Sequence, residues 1–297
     1  MEKVVNYSFI IPHKNCPNLL QRCVNSIPER DDVQVIVVDD NSDEGMKPSL
    51  KERNNLQVIL LDAEQSKGAG RARNIGIEYA KGKWLLFADS DDYYSFDSLT
   101  SLLYKYEKND NIDLVYLNAS IINEMEKVTP FRTDKLIKDY LNGIKGAEME
   151  LRYSIWTPWS RMVKRELVKN NHIKFDEIAA CNDKMFCLSC SRCARSIAAE
   201  DIMVYYYYKS TRGSITDKQR NHLMLDGLLD IRGRTIELYK TVGYRPLPAF
   251  IELVFFTKYT KGLTIMQVFS KYRKVLTRYH RSMIIDISCY FKKRLLY

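Results

Sequence analysis

The first forty residues alternate between an apolar segment, an amphipathic segment and a second apolar segment. Residues 7–12 predict a buried strand that its proline ends, residues 18–27 have the spacing of an amphipathic helix, and residues 33–38 predict a second strand. A strand, a helix and a strand in this order form a right-handed unit with parallel strands. The chain is therefore predicted to be an α/β protein with a mostly parallel sheet.

Carboxylates follow two of the predicted strands at the point where each strand ends. Asp39 and Asp40 come after the second strand, and Asp89 and Asp91 follow the apolar residues 84–88. Because ligands of open α/β sheets bind at the carboxyl ends of the strands, these acids predict a site. Strand alternation would aim Asp89 and Asp91 to one side, which suits a divalent cation and the phosphates bound to it. An acidic turn and a helix N-cap are the alternatives.

Residues 67–76 combine small residues with two arginines, Arg71 and Arg73, ahead of a predicted helix. Small residues let backbone N–H groups approach an anion, and arginine pairs well with phosphate. The segment matches neither a Walker loop nor G-x-G-x-x-G, so a flexible loop before a surface helix is the alternative.

These segments, in this order, resemble those of the family-two nucleotide-sugar glycosyltransferases of GT-A fold. The resemblance covers roughly residues 6–216 and rests on residues 8–12, 37–42, 70–76, 87–92, 156–165, 175–186 and 205–215. Two positions depart from the family pattern. Lys14 stands where a tyrosine is usual, and Asn182 replaces the Glu of the usual Glu-Asp-x-x-Phe, whose Asp is kept as Asp183.

The resemblance implies an inverting transferase that moves a sugar from a nucleotide diphosphate sugar, commonly a UDP-sugar, to an acceptor hydroxyl. Asp183 would be the catalytic base, and Asp91 with Asp89 would bind Mn²⁺ or Mg²⁺. Trp156 and Trp159 would contact the acceptor. The donor-binding residues would be Pro12, Asn15, Asp39, Asp40, Arg73, Asp89, Ser90, Lys209, Arg212 and Ser214.

Several of these residues have a structural alternative. Asp183 precedes an apolar helix and could cap it. Trp156 and Trp159 could be core residues, as most tryptophans are. Four cysteines between residues 181 and 193 could suggest a metal site, but zinc sites with four cysteines usually combine two separate pairs.

The predicted organisation is a GT-A domain over residues 1–216, with a nucleotide-sugar-binding half at 1–115 and an acceptor-binding half at 116–216. A helical region over residues 217–297 follows. Its last thirty residues carry eight Lys or Arg against one acid, so most of the net charge of +9 lies there. This uneven charge argues against a nucleic-acid enzyme, which would spread its cations over a wider face.

The basic residues of the C-terminal segment alternate with apolar ones at helical spacing. A basic amphipathic helix favours binding to an anionic membrane surface, and packing of its apolar stripe on the domain is the alternative. No run approaches the roughly 18 apolar residues of a membrane-spanning helix. We therefore expect a cytoplasmic protein, peripheral at the inner face of the cell membrane, with reduced cysteines and a saccharide or lipid-linked saccharide acceptor in surface polysaccharide synthesis.

Three other functions are considered, and the motifs count against the first two. A sugar nucleotidyltransferase would need a Gly-rich first loop with Arg and Lys, which residues 12–15 do not supply. A haloacid-type phosphatase would carry its D-x-D motif at the first strand. A catalytically silent, membrane-associated binding module of the same fold is the third alternative.

Overall fold

The computed structural model describes residues 4–178, 180–209, 222–244 and 264–278. The chain divides into two compact units, Met1–Arg212 and Gly213–Tyr297. The first unit holds the predicted site, and its fold is considered first.

The first unit is built on one large sheet. In chain order its strands are β1 (Tyr7–His13), β2 (Val33–Asp39), β3 (Leu56–Leu60), β4 (Trp84–Phe87), β5 (Tyr93–Tyr94), β6 (Leu114–Asn123), β7 (Val128–Pro130), β8 (Arg161–Lys164) and β9 (Ile197–Lys209). Their order across the sheet is β3-β2-β1-β4-β8-β6-β9-β5, with β7 paired to β6.

The sheet is parallel in its first half and mixed in its second. β3, β2, β1 and β4 are parallel, whereas β8 is antiparallel to both of its neighbours, β4 and β6. The predicted α/β class is therefore confirmed, and the antiparallel pairs are the short ones that β8, β7 and β5 make. The chain moves from β1 outward to β2 and β3, then returns to the other side of β1 to form β4. This reversal is a topological switch point, where ligands of α/β sheets bind.

Helices cover both faces of the sheet. They are α1 (Pro17–Asn25), α2 (Ala69–Tyr79), α3 (Phe96–Tyr106), α4 (Thr133–Leu141), α5 (Ala147–Ser154), α6 (Arg165–Asn170) and α7 (Lys184–Cys193). Alternate residues of β1 belong to two different cores: Phe9 and Ile11 lie in one, and Ile10 lies in the other. Burial of both faces explains why these strands are apolar runs rather than alternating ones.

Two local predictions differ from the structure. Pro12 does not end β1, which continues to His13. The missing N–H of Pro12 is tolerated because β4 pairs only with Tyr7 to Ile10, so beyond that point β1 has a neighbour on one side. The acids after β4 also lie in a turn rather than in strand conformation, since the Asp92 N–H donates to the Asp89 carbonyl at 3.0 Å.

In the second unit, α8 (His222–Thr241) and α9 (Ile265–Arg278) contact each other. Tyr272 of α9 is fully buried, whereas Met266, Arg273 and Lys274 are exposed. Among the residues described, no helix is long and apolar enough to span a bilayer. The rest of the basic segment, residues 279–297, lies outside the described residues, as do residues 245–263 of the predicted helical region.

Candidate active site

The loops after β1 and β4 meet at the switch point of the sheet. Cys16 Sγ and Ser90 Oγ lie 3.0 Å apart, so the loop that follows β1 contacts the acidic turn that follows β4. The loop after β2 joins them, because the Asn15 N–H donates to Ser42 Oγ and the Asn15 side chain exchanges two hydrogen bonds with Asp43. Asn15 adopts φ +56°, a left-handed conformation that asparagine tolerates.

Asp39 is buried and is used to order these loops. Its carboxylate accepts hydrogen bonds from His13 Nδ1 at 2.6 Å, from the Ser42 hydroxyl at 2.5 Å and from the Ser42 N–H at 3.0 Å. Because His13 Nε2 accepts the Cys16 N–H, the ring proton of a neutral His13 lies on Nδ1. The Asp39 carboxylate therefore has little acceptor capacity left for its predicted role in donor binding.

Asp40 lies beside Lys14, the residue that departs from the family pattern. Its carboxylate accepts the N–H groups of Lys67 and Gly68 at 3.1–3.2 Å. The Lys14 ammonium is 3.6 Å from Asp40 Oδ2 and donates to the Asp40 carbonyl, while half of the Lys14 side chain is exposed. An acceptor and a donor thus stand together at the end of β2.

The three carboxylates of the acidic turn have three different environments. Asp89 forms an ion pair with Arg73 at 2.5 Å. Asp91 is accessible to solvent, yet partial desolvation and the nearby charge of Asp89 raise its pKa to about 6. Asp92 is fully buried, and its carboxylate accepts the Tyr205 hydroxyl at 2.8 Å and the Tyr208 N–H at 2.7 Å.

Burial raises the pKa of Asp92 well above the ordinary aspartate value, and the neighbouring carboxylates add to the rise. Asp92 therefore ties the acidic turn to β9, a role that sequence analysis did not assign to it. The only sequence signal for this role is the third acid of the motif, because its partners lie more than 110 residues away.

Arg73 connects the acidic turn to the segment that carries Asp183. Its guanidinium donates to Asp89 at 2.5 Å and to the Asn182 side-chain oxygen at 2.9 Å. Arg73 is itself buried, so these contacts lie in a partly desolvated region. Asn182, which stands where the family pattern has Glu, thus contacts Arg73 through a neutral side chain.

Asp183 stands immediately before α7, but its side chain makes no capping hydrogen bond. Asp183 therefore does not cap α7 through its side chain, and no side chain among the described residues donates to its carboxylate. Desolvation raises the pKa of Asp183, the charge of Arg73 lowers it, and the charge of Asp89 raises it again. A partly buried carboxylate with a raised pKa and open acceptor sites can take a proton from a substrate.

Segment 67–76 is attached to the Asp183 loop. The Asn74 side chain exchanges hydrogen bonds with the backbone of Phe175 at 2.9 and 3.0 Å, and Arg71 pairs with Glu177 at 3.3 Å. A methyl group at Gly70 would lie 2.0 Å from the Asp176 carbonyl oxygen. Asn74, Glu177 and Gly70 were not predicted as site residues, since nothing in their local sequence indicates partners a hundred positions away.

The two tryptophans differ in their surroundings. Trp159 is 4% exposed and stacks on Tyr205, with ring centroids 4.8 Å apart, so its position favours the core alternative over an acceptor contact. Trp156 is half-buried, and the Lys184 ammonium lies 4.0 Å from its ring centroid. Trp156 therefore contacts the residue that follows the predicted base in the chain.

The remaining predicted site residues lie at the edges of this region. Pro12 is buried within β1, and Ser90 contacts Cys16. Lys209 is exposed at the end of β9, whereas Arg212 and Ser214 lie outside the described residues. Cys187 and Cys190 are buried in α7 as thiols.

Asp91 and Asp89 are the carboxylates of the acidic turn that could hold a divalent cation, with further ligands supplied by a substrate. No group of three or more His, Cys, Asp or Glu within the described residues could hold a metal alone. Mg²⁺, however, is usually bound by one or two carboxylates together with substrate phosphates. Desolvation first, and the charge of Asp89 second, raise the pKa of Asp91, and a bound cation would favour the ionised form of this carboxyl group.

Comparison with known proteins adds independent findings. A family model described as Glycosyl transferase family 2 matches residues 8–186. The poly(ribitol-phosphate) beta-glucosyltransferase of Bacillus spizizenii is 24% identical over 291 residues, which are 93% of this chain and 44% of that protein. The Escherichia coli beta-1,3-glucosyltransferase WfgD, named for UDP-Glc and α-D-GlcNAc-diphosphoundecaprenol, is 31% identical over 42% of this chain and 49% of that protein. The chain spans 36–64% of the first curated relatives it matches.

Solved structures share the fold. The Staphylococcus aureus TarS fragment 1–349 in complex with UDP-GlcNAc superposes with a TM-score of 0.61 at 19% identity, over 92% of this chain and 72% of that one. The same fragment with UDP superposes with a TM-score of 0.58. This likeness confirms the predicted GT-A fold.

Proposed function

The chain belongs to glycosyl transferase family 2, and from this premise we propose that it transfers one sugar from a UDP-sugar to an acceptor hydroxyl with inversion of the anomeric carbon. Its place would be bacterial polysaccharide synthesis, as the names of its relatives suggest. The observation that carries the proposal is the Arg73 bridge. Through Arg73, the acidic turn suited to a diphosphate is joined to the segment that holds an available carboxylate, Asp183.

The donor would bind at the switch point of the sheet. Asp40 would read the nucleobase together with Lys14, since the two offer an acceptor beside a donor. Arg73, Ser90 and the segment that starts at Lys209 would lie near the phosphates. The TarS complexes with UDP-GlcNAc and UDP support this choice of donor by shared fold.

The proposed reaction is a single displacement. Asp183 accepts the proton of the acceptor hydroxyl while that oxygen forms a bond to the anomeric carbon. The bond from this carbon to the diphosphate oxygen breaks on the opposite side, and UDP leaves with the electron pair. A divalent cation held by Asp91, with Asp89 beside it, would stabilise the charge of the diphosphate as a Lewis acid. Arg73 orients Asp89 and Asn182 around the reacting groups.

The acceptor would be a saccharide, which we propose to be lipid-linked. Trp156 would contact a sugar ring of the acceptor, since its half-buried indole keeps some exposed surface and lies against Lys184, the residue that follows Asp183. WfgD, whose name includes an undecaprenol diphosphate, supports a lipid-linked acceptor by similarity. Exposed cations and apolar side chains of α9 would hold the protein at an anionic membrane surface.

A nucleotide-release assay tests the proposal. The full chain is incubated with UDP-sugars with and without Mn²⁺, and the products are separated. Release of UDP that depends on Mn²⁺ and is lost in Asp91→Asn supports the transferase with its metal site. Pyrophosphate as the product would indicate a nucleotidyltransferase, and binding without turnover would indicate a silent module.

A matched control keeps that test specific. Asp97 follows in the same region of the chain and is exposed on the first turn of α3, and within the described residues its carboxylate contacts no predicted site residue. Asp97→Asn removes the same charge and should leave UDP release unchanged. If Asp91→Asn behaves like Asp97→Asn while the wild type is active, the metal assignment to Asp91 is wrong.

A further inference from the structure

Arg22 lies beside the acidic turn and has no role in the function proposed above. It stands in the last turn of α1, and its guanidinium lies between two tyrosine rings. The guanidinium carbon is 4.6 Å from the ring centroid of Tyr93 and 4.5 Å from that of Tyr208. Its Nη2 donates to the main-chain carbonyl of Asp91 at 2.6 Å. Three segments that are distant in sequence therefore meet at this one side chain.

The contacts of Arg22 are to rings and to a carbonyl rather than to a carboxylate. Its Nε is buried without a hydrogen-bond partner, and no ion pair of Arg22 is found within the described residues. A guanidinium can stack on two aromatic faces and still donate in its own plane, which an ammonium cannot do. The geometry therefore depends on the planar group and not on charge alone.

The two rings belong to the two segments that enclose the acidic turn. Tyr93 begins β5 directly after Asp92, and its ring stacks on Tyr206 with centroids 4.9 Å apart. Tyr208 lies near the end of β9, and its N–H donates to the buried carboxylate of Asp92. The acidic turn is thus fixed at two points: Arg22 donates to the Asp91 carbonyl, and the buried Asp92 carboxylate is hydrogen-bonded to β9.

We propose that Arg22 is a positioning residue that fixes the backbone of Asp91, so that the Asp91 carboxylate is presented to the divalent cation of the donor complex. The inference deepens the function proposed above and rests on its metal role for Asp91. Arg22 acts through the Asp91 backbone and does not itself touch the substrate.

The first experiment is independent of activity. Hydrogen exchange of a peptide covering residues 88–95 is compared in the free wild type, in Arg22→Met and in a control, Arg30→Met. The Arg30 guanidinium also stacks on a tyrosine, with its carbon 4.2 Å from the ring centroid of Tyr104. Its other partner is Asp32, and neither partner belongs to the acidic turn. Exchange in 88–95 should become about tenfold faster in Arg22→Met alone, because local opening loses a stack and a hydrogen bond. Unchanged exchange overturns the proposal.

The second experiment separates positioning from direct phosphate binding. Mn²⁺ affinity of the full chain with saturating UDP is measured by electron paramagnetic resonance, and UDP affinity is measured separately without metal. Arg22→Met and Arg22→Lys should both weaken Mn²⁺ binding about tenfold or more, as supporting residues of metal ligands do. Their metal-free UDP affinity should stay within the range of Arg30→Met.

The outcomes distinguish the inference from the function beneath it. If Lys restores Mn²⁺ affinity, or if metal-free UDP affinity falls in both variants, Arg22 contacts phosphate through its charge and the positioning role is wrong. If the wild type itself binds no Mn²⁺ with UDP, the metal role of Asp91 fails and the presentation of Asp91 to a cation fails with it. Accelerated exchange in 88–95 would then show that Arg22 still orders the turn.

Discussion

Asp39 is the last residue of β2, and Asp91 and Asp92 follow β4, yet the three carboxylates have different roles. The Asp39 carboxylate accepts hydrogen bonds from His13 and Ser42, and the Asp92 carboxylate accepts hydrogen bonds from β9. Asp91 keeps an accessible carboxyl group with a raised pKa. Their difference follows from which donors the neighbouring loops supply, since a buried carboxylate must have its hydrogen bonds satisfied. At the scale of single residues, a carboxylate that still has free acceptor sites is the one available for binding or catalysis.

Asp183 has such capacity, and its substitution should separate chemistry from binding. Asp183→Asn should lower turnover by about 10²–10⁴, the usual contribution of a general base, while donor affinity changes little. Steady-state rates and UDP-sugar binding by calorimetry check this. A variant that loses donor affinity but retains turnover at saturation would instead indicate a structural role.

The pH dependence of turnover should report Asp183 together with Asp91, whose pKa is raised to about 6. A base must be ionised, so activity is lost as the pH falls through its pKa. Because desolvation raises the pKa of Asp183, the acid limb should lie above the ordinary aspartate value of 3.8. The measurement is kcat against pH at saturating substrates, and a limb at or below the ordinary value would contradict the desolvated base.

The two tryptophans should differ in their contribution to stability. Trp159→Ala removes a buried ring from the stack with Tyr205 and should cost about 3–5 kcal/mol in the free energy of unfolding. Trp156→Ala removes a half-buried ring and should cost less. Urea unfolding of both variants checks the contrast, and equal losses would show that Trp156 is also a core residue.

At the scale of elements, α2 determines where the Asp183 loop lies. One end of α2 contacts this loop through Gly70 and Asn74, and Gly76 lies so close to β1 that an added methyl would be 2.4 Å from Ile10 Cγ2. The helix is therefore seated on the sheet and on the loop at the same time. Small residues are needed where backbones approach this closely.

Gly70→Ala tests that seating. The new methyl would meet the Asp176 carbonyl oxygen, so the loop or the helix must shift, at a cost of about 1–3 kcal/mol in stability. Gly45→Ala is the matched control, because nothing lies within 4 Å of a methyl there. Thermal unfolding and turnover of both variants are measured. Gly70→Ala should lower both, and a neutral result would show that the loop adapts freely.

At the scale of the whole molecule, the sheet brings together predicted site segments from most of the length of the first unit. The acidic turn follows β4, Lys14 and Asp40 follow β1 and β2, and Asp183 comes from the segment before α7. The switch point between β1 and β4 makes this possible, because it leaves a crevice where the connections diverge. The second unit contributes the amphipathic helix α9.

The membrane proposal predicts that α9 carries salt-sensitive binding. In the full chain, Arg273→Gln with Lys274→Gln should weaken binding to phosphatidylglycerol vesicles about tenfold or more, since each cation near an anionic surface contributes about 1 kcal/mol. Lys81→Gln with Lys174→Gln removes two exposed cations of the first unit and serves as the control. Co-sedimentation at low and high salt measures both, and indifference of the wild type to anionic vesicles would end the proposal.

The sequence by itself determined the α/β class, the positions of the acids at strand ends and the order of the site segments. These follow from periodicity and from the rule that parallel strands end at one edge, both of which are local or topological. Only the tertiary structure decided that the Asp92 carboxylate is hydrogen-bonded to β9, that Trp159 packs against tyrosines and that Arg22 donates to the Asp91 carbonyl. Those contacts join residues 46 to 116 positions apart, and the choice among several equally suitable partners depends on how the elements pack.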